Sequence, residues 1–331
     1  MFKSKTKYTW EGWESSGRED WVFSVKHPCE LIGVHAKLID AQLKESEKLE
    51  YCIYSPRVSS TSTPFGFKSE ESSWGLCATD NRFIISKNQH AKNLEPELFS
   101  ISFDDVLYFN IGRVLLLSWL SITYAQEKKK RQVDILFASN GRHHFEKALR
   151  SYKKYQNAVN TDEFGLDSFS AASFIHKIQN KLHADSLKTL ISSGEKCLCS
   201  FSCRYFWEKF FERRSFFRKR KVFYYPRSNA TFLLTNKALL LARDSLETGI
   251  DSGVNILTIP LGKIKAVSAM SEELNDSLIQ RIKISLAQTE EDYFVVISYI
   301  CEDEGVLVNT MQSLMGKKLG FKQLMQHLNL L

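Results

Sequence analysis

"ATFLLTNKALLLAR" (230–243), followed by "ILTIPLGKIKAVS" (256–268), is the pair of phrases on which the fold turns. Each is an apolar run broken near its middle by turn residues, Thr235-Asn236-Lys237 in the first and Pro260-Leu261-Gly262 in the second. Such runs, split by Asn, Gly or Pro, predict β-hairpins. The same phrases occur earlier in the chain. "ATDNRFIIS" (78–86) matches "LTNKALLLA" (234–242) with Thr79 over Thr235, an offset of 156, and "FSISFDDVLYF" (99–109) matches "LTIPLGKIKAV" (257–267) at 158. "SITYAQ" (121–126) lies over "KISLAQ" (283–288) and "VDILF" (133–137) over "VVISY" (295–299), both at 162. The offset grows only across polar turns. Loops take up insertions, whereas a strand that slips by one residue turns its core face outward. The chain therefore reads as a duplicated unit.

Each unit reads as a leading helix, several strands at hairpin spacing and a closing helix. Leading helices are predicted over 28–44, with Leu31, Val34, Leu38 and Ile39 on one side, and over 168–182, with Phe174, Ile175, Ile178 and Leu182. Closing helices are predicted over 143–155, with Phe145, Leu149 and Tyr152, and over 306–314, with Leu307, Met311 and Leu314. The uncharged run 114–125 reads as one long strand. Seven or so antiparallel strands cannot leave both faces wet, so each unit should curl into a small barrel or sandwich plugged by its closing helix. The expected class is mainly β with α, that is α+β.

"FLLTNKALLLAR...ILTIPLGKIKAV" resembles the strand signature of PH-like domains, nearest the bacterial PH and GRAM-type branch, where an "lTnkrl" hairpin precedes an "ipl..I..v" hairpin. The resemblance covers most of 187–315 and, more weakly, 46–155. It implies a tandem pair of seven-stranded rolls, each capped by a C-terminal helix, and it carries no catalytic residues. In the first unit Asp104 and Asp105 replace the Gly262-Lys263 turn. The division this gives is an N-terminal arm (1–28), a first PH-like domain (29–158) and a second (168–331). The second holds an insert at 205–225 and an extra C-terminal helix carrying Leu319, Leu324, Leu328 and Leu331. The arm, with Trp10, Trp13 and Trp21 amid acidic residues, should add an edge strand or latch onto the first unit.

The chain has 331 residues, 43% apolar and 12% aromatic, enough to bury an ample core across two domains. Seven cysteines are an odd number in a chain too large to need staples, and no spacing pairs them, which fits a reducing compartment. The start is polar, and the longest uncharged apolar run has twelve residues where a membrane-spanning helix needs about 20. The expected location is cytoplasmic, with peripheral attachment to a membrane.

The net charge is +7. "YFWEKFFERRSFFRKRKVFYY" (205–225) holds Lys209, Arg213, Arg214, Arg218, Lys219, Arg220 and Lys221 against Glu208 and Glu212; seven minus two is five of the seven excess charges. Clustered cations attract acidic partners more than diffuse charge does, because their fields add within a Debye length of about 8–10 Å. The first unit fills the same slot with the polar "PRVSSTSTPFGFKSEESS", so this is where the two copies differ most. Phe206, Trp207, Phe210, Phe211 and Phe217 recur at three and four residues, as on one face of a short helix, with Lys209, Arg213 and Arg220 on another. Arg213, Arg214, Arg218, Lys219, Arg220 and Lys221 are the expected anion or lipid contacts. Trp207, Phe210, Phe211, Phe216 and Phe217 are the expected membrane or partner contacts. Rings sink at a headgroup boundary while cations meet phosphates. The alternatives are a scaffold that uses the same loop for protein contact or self-association, and, as a minor reading, nucleic-acid binding.

"CLCSFSC" invites a zinc reading, yet Cys197, Cys199 and Cys203 lie two apart, as on one strand face, and suit a core. His143 and His144 point to different sides of a helix, while His176, His183 and His327 stand alone. No phosphate loop or nucleophile motif is present, and no cofactor is called for, so the expectation is a non-enzyme. A buried polar cluster between the two units would reopen a catalytic reading.

Overall fold

The computed structural model describes residues 21–300 apart from 59–71, 90–93, 115, 159–168, 171–174, 177, 193, 207–208, 216–217, 225–226, 245–252, 275–276 and 287–293. The described chain is mainly β with a few helices, and its strands pair antiparallel. In the first half, β1 (Phe23–Val25), β2 (Leu49–Ser55), β3 (Ser72–Thr79), β4 (Arg82–Gln89) and β5 (Glu97–Ser102) form one sheet in that order, with helix α1 (Val34–Asp40) between β1 and β2 in the chain. A 3₁₀ turn at Phe103–Asp105 leads into β6 (Val106–Val114), β7 (Leu117–Gln126) and β8 (Lys129–Ala138), and α2 (Arg142–Tyr155) follows.

The second half runs through β9 (Phe169–Ser170), α3 (Lys181–Leu190), β10 (Lys196–Phe206), β11 (Lys209–Ser215), β12 (Arg218–Tyr224), β13 (Arg227–Thr235), β14 (Ala238–Asp244) and β15 (Val254–Pro260). A 3₁₀ turn at Leu261–Lys263 then leads into β16 (Ile264–Leu274), β17 (Ser277–Leu286) and β18 (Phe294–Ile300). The second sheet has the order β16-β17-β18-β10-β13-β14-β15-β6-β7-β8, with β9 beside β10. The pair β15–β6, from Val254↔Arg113 to Thr258↔Phe109, thus joins the halves through backbone hydrogen bonds.

The wiring of the two quoted hairpins recurs. The Thr79 hydroxyl oxygen accepts from the N–H groups of Asn81 and Arg82, and that of Thr235 from Lys237 and Ala238. Phe103 N–H donates to the Asn81 carbonyl at 2.8 Å, and Leu261 N–H to the Lys237 carbonyl at 2.9 Å. Threonine suits both places because its hydroxyl satisfies turn N–H groups that the ladder leaves unpaired.

Three apolar clusters hold these elements. The largest takes one face of β3 to β8, Phe145, Leu149 and Tyr152 of α2, Leu187 and Leu190 of α3, and Leu233, Leu240, Val254 and Ile256. A second gathers Phe232, Leu241, Leu257, Ile259, Ile264, Ile284 and Leu286. Leu233 and Phe232 are neighbours in the chain and serve different clusters, so β13 is buried on both faces. The third lies under α1, with Leu31, Ile39, Tyr54 and Ile84.

Several expectations are corrected. The first leading helix is shorter than 28–44: a 3₁₀ turn at Pro28–Glu30 precedes α1. Its buried side carries Leu31, His35 and Ile39, while Val34 is 37% exposed. His35 belongs there because both ring nitrogens are satisfied, at 2.7 Å by the Ser86 hydroxyl and at 2.9 Å by that of Ser73. The second leading helix starts at Lys181, near where 168–182 was to end. The Asn180 side chain caps it, accepting from His183 N–H at 3.2 Å, and Phe169–Ser170 is a short strand instead. The run 114–125 is the end of β6 and most of β7, with Val114 facing Leu117. Val114 and Ser118 are buried on either side of the turn, while Leu116 within it is 79% exposed, so an apolar residue stands where a polar one would have marked the break.

Cys52 and Cys77, facing residues of β2 and β3, form a disulfide, which removes the unpaired-thiol argument for a reducing compartment at those positions. The closing helix expected at 143–155 is α2, and Phe23–Val25 is the edge strand expected of the arm. Trp10, Trp13 and the helices predicted after residue 300 lie outside the described residues. No helix among the described residues is long and apolar enough to cross a membrane.

Candidate functional site

The insert is a β-hairpin. β11 pairs with β12 from Lys209↔Tyr224 to Ser215↔Arg218, and β10 pairs with β13 up to Phe206↔Arg227. The register sum is the same for β10–β13 from Cys199↔Leu234 to Phe206↔Arg227 and for β11–β12, on either side of the interruption at 207–208 and 225–226. β11 and β12 form a two-stranded sheet without a third strand among the described residues. Seven residues per strand carry this extension about 20 Å beyond the interruption, at about 3.4 Å per residue.

Register decides how the predicted contact residues are arranged. Alternation puts Phe211 and Arg213 on one face with Arg218, Arg220 and Val222, and Phe210, Glu212 and Arg214 on the other with Lys219, Lys221 and Phe223. The helical expectation, with rings on one side and charges on another, is corrected: each face carries both, sorted along the hairpin instead of around it. Phe210, Phe211, Phe223 and Tyr224 occupy the rungs near the interruption. Arg213, Arg214, Arg218, Lys219 and Arg220 occupy the three rungs nearest the turn. Trp207, Phe216 and Phe217 lie outside the described residues. Arg213 faces Arg220 and Arg214 faces Lys219, while Glu212 faces Lys221. Like charges at facing positions of a ladder destabilise it, so the outer rungs work against the hairpin's own stability.

The structure also contains a buried polar cluster between the halves, which no local signal announced. Lys153, near the end of α2, reaches Glu195 just before β10, with Nζ at 3.2 and 3.3 Å from the two carboxylate oxygens. Their side chains are 2% and 0% exposed. The Thr235 hydroxyl donates to the same carboxylate at 2.6 Å, and the Ser192 N–H and hydroxyl donate at 2.8 and 3.0 Å. Burial alone would raise the Glu195 pKa, but the Lys153 charge and these donors outweigh it and hold the carboxyl below its ordinary value. Burial lowers the pKa of Lys153, against the pull of Glu195. With its groups paired and sealed from solvent, the cluster gives a substrate no entry and acts as a clamp between the halves.

A cleft of about 560 Å³ opens beside it, where the two 3₁₀ turns meet. Its lining includes Phe103, Tyr152 and Leu261; Gln156 Nε2 donates to the Tyr152 hydroxyl at 3.1 Å while Gln156 Oε1 has no partner. The Tyr155 hydroxyl donates to Asp104 at 2.9 Å, the Lys263 ammonium to the Asp104 carbonyl, and the Lys237 ammonium to the Lys153 carbonyl at 2.9 Å. Burial raises the Asp105 pKa and lowers that of Lys263.

His183 is buried, with Nδ1 at 3.0 Å from the Thr231 hydroxyl and Nε2 at 2.9 Å from Asp244. Like His35 in α1, it lies in the first turn of its helix. His143 is exposed and His144 half-buried, their ring centroids 3.9 Å apart. Cys197 is buried in the largest cluster, and a register shift lies between it and Cys199 in the ladder; the side chains of Cys199 and Cys203 lie outside the described residues. No group of three or more metal-ligating side chains is placed to hold an ion among the described residues. Comparison of the chain with protein families, with curated proteins and with solved structures gave no match.

Proposed function

We propose that this chain is a non-catalytic binding module of two PH-like rolls, and that the β11–β12 hairpin engages an anionic surface, the phospholipid headgroups of a membrane. The seven strands β2 to β8 followed by α2, and the repeated succession of β10, β13, β14 and β15 before β16 to β18, support the tandem reading. So does the repeated threonine wiring of the turns.

The observation that carries the function is the register of the hairpin. Five cations sit in three consecutive rungs, a span of about 7 Å, shorter than a Debye length of about 8 Å. An anionic surface relieves the repulsion between the facing pairs Arg213↔Arg220 and Arg214↔Lys219. Each basic residue contributes about 1 kcal/mol near an anionic leaflet, about 5 kcal/mol for the set before ordering costs. Phe210, Phe211 and Phe223 add aromatic character to the same hairpin, and aromatic rings favour the headgroup boundary.

Co-sedimentation with neutral and with anionic vesicles tests this, on the full chain and on a variant carrying Arg218→Ser, Lys219→Ser, Arg220→Ser and Lys221→Ser. The wild type is expected to pellet with anionic vesicles and to be released as salt rises, and the variant to stay in solution. Equal pelleting with both vesicle types at every salt concentration would sink the proposal. Salt-insensitive self-association of the wild type would instead support the scaffold reading, in which the two open edges of the hairpin add strands to a second copy.

A further inference from the structure

A leucine stands at the tip of a hairpin in the first half. β6 and β7 close with Val114 facing Leu117, so Leu115 and Leu116 make a two-residue connection. Such connections favour Asn, Asp and Gly, which suit an exposed turn. The second half keeps that chemistry: Leu274 faces Ser277, and Asn275-Asp276 lies between them in the chain. In the first half Leu116 is 79% exposed, far ahead of Leu94 at 49%, the next large apolar side chain among the described residues.

The tip is held firmly. The Ser139 N–H donates to the Leu116 carbonyl at 2.9 Å, and the Ser118 and Ser139 hydroxyls lie 2.9 Å apart. Behind it the Trp119 ring covers Gly112, where a Cβ would come within 2.0 Å of the ring. The leucine therefore projects from a fixed backbone.

An exposed leucine is common on any protein surface, so its place carries the weight. The ladder between the halves decides that place. One row of facing residues, Cys203↔Ala230↔Arg243↔Asn255↔Gly112↔Trp119, crosses six strands. Past this row, in the same direction along the strands, β10 reaches Phe206 at the base of the insert and β6 reaches its turn at Leu116. β6 stands three strands from β13, about 14 Å at about 4.8 Å per strand. A tip of the first half thus joins the rim from which the cationic hairpin of the second half extends.

We infer that Leu116 is a second contact with the same anionic membrane, an apolar anchor that enters the headgroup boundary beside the β11–β12 hairpin; this rests on the function proposed above. A bilayer suits the tip better than a protein partner does. One projecting side chain offers far less than the roughly 800 Å² per partner that a specific protein interface buries, whereas a bilayer accepts a leucine without a matching pocket. The two contacts also act differently. The attraction of the cations fades as salt rises, while the transfer of leucine out of water does not depend on screening.

Co-sedimentation with phosphatidylcholine vesicles, with and without phosphatidylserine, at low and high salt compares the wild type with Leu116→Ser and Leu116→Trp. Leu116→Ser should weaken partitioning onto the anionic vesicles about 10-fold, the equivalent of about 1.4 kcal/mol, with its salt dependence unchanged. The Tm of the free protein should stay that of the wild type, because the side chain is exposed. Leu116→Trp should bind at least as tightly as the wild type, since tryptophan favours the membrane interface, and lipids with brominated acyl chains should quench its added fluorescence. The four-serine hairpin variant should instead lose the salt-dependent part of binding.

If the wild type binds anionic vesicles and is released by salt, yet Leu116→Ser partitions as it does, the anchor is overturned and the hairpin reading stands. A wild type with no preference for anionic vesicles overturns both. Self-association of the wild type that Leu116→Ser abolishes, with vesicle binding intact, would give the tip to a second copy and so overturn the membrane assignment.

Discussion

His144 shows how one position in a repeated pattern acquires its own chemistry. It lies on the half-buried side of α2, its Nδ1 2.8 Å from the Tyr51 hydroxyl and its ring stacked on that residue at 6.2 Å between centroids. Burial, with help from His143 and Lys147, lowers its pKa to about 4. An unfolded histidine titrates near 6.5, so between pH 6.5 and 4 the unfolded chain binds the proton more readily. Stability is therefore full above that window and falls as pH drops through it. An NMR titration should give a His144 midpoint near 4, and His144→Gln should flatten part of the acid limb of a stability profile; a midpoint near 6.5 would refute the burial argument. The pair His143-His144 was visible in the sequence, but its environment was not, because Tyr51 lies 93 residues away.

At the scale of elements, α1 is held on its sheet by a close approach that only glycine permits. A Cβ on Gly75 would come within 2.7 Å of Ser86 Oγ, 2.9 Å of Ile39 Cδ1 and 3.1 Å of His35 Cβ. Gly75→Ala must push the helix off β3 or disturb the His35–Ser86 hydrogen bond. Overpacking of this kind costs about 1–3 kcal/mol, readable as a shift of the urea midpoint with an unchanged slope. A midpoint within error of the wild type would show that α1 moves freely. Apolar spacing placed a helix in this part of the chain, but it did not reveal that a histidine completes the buried side. A rule that counts apolar residues skips His35, and Ser73 and Ser86, which make its burial tolerable, sit on other elements. The hairpin insert illustrates the same ambiguity. Adjacent rings at 206–207 and again at 210–211 repeat every four residues, a spacing that fits a helix. In a strand the two members of each pair fall on opposite faces, and the rung partners that settle the matter lie on the returning arm.

Across the whole molecule, the links between the halves include the β6–β15 ladder and the buried ion pair of Lys153 with Glu195. Removing one partner of a buried pair leaves an uncompensated charge, so Lys153→Met should cost about 3–5 kcal/mol. Lys153→Met with Glu195→Gln should recover part of that loss, because the remaining amide keeps neutral donors and acceptors for Ser192 and Thr235. A double-mutant cycle by chemical denaturation checks this, and additive costs would show that the pair does not couple the halves.

The sequence by itself determined the succession of strands and turns, the recurrence of that succession after about 156 residues, the closing helix α2 and the concentration of charge in one insert. These are legible because alternation, helical period and turn chemistry act over a few neighbouring residues. Only the tertiary structure decided that the insert is a hairpin with like charges facing, that α3 begins where a helix was expected to end, that β6 is completed by β15, and that Lys153 and Arg142 are buried. Each of those outcomes depends on which distant group arrives to fill a hydrogen bond or leave it open, and no local pattern in the chain specifies that.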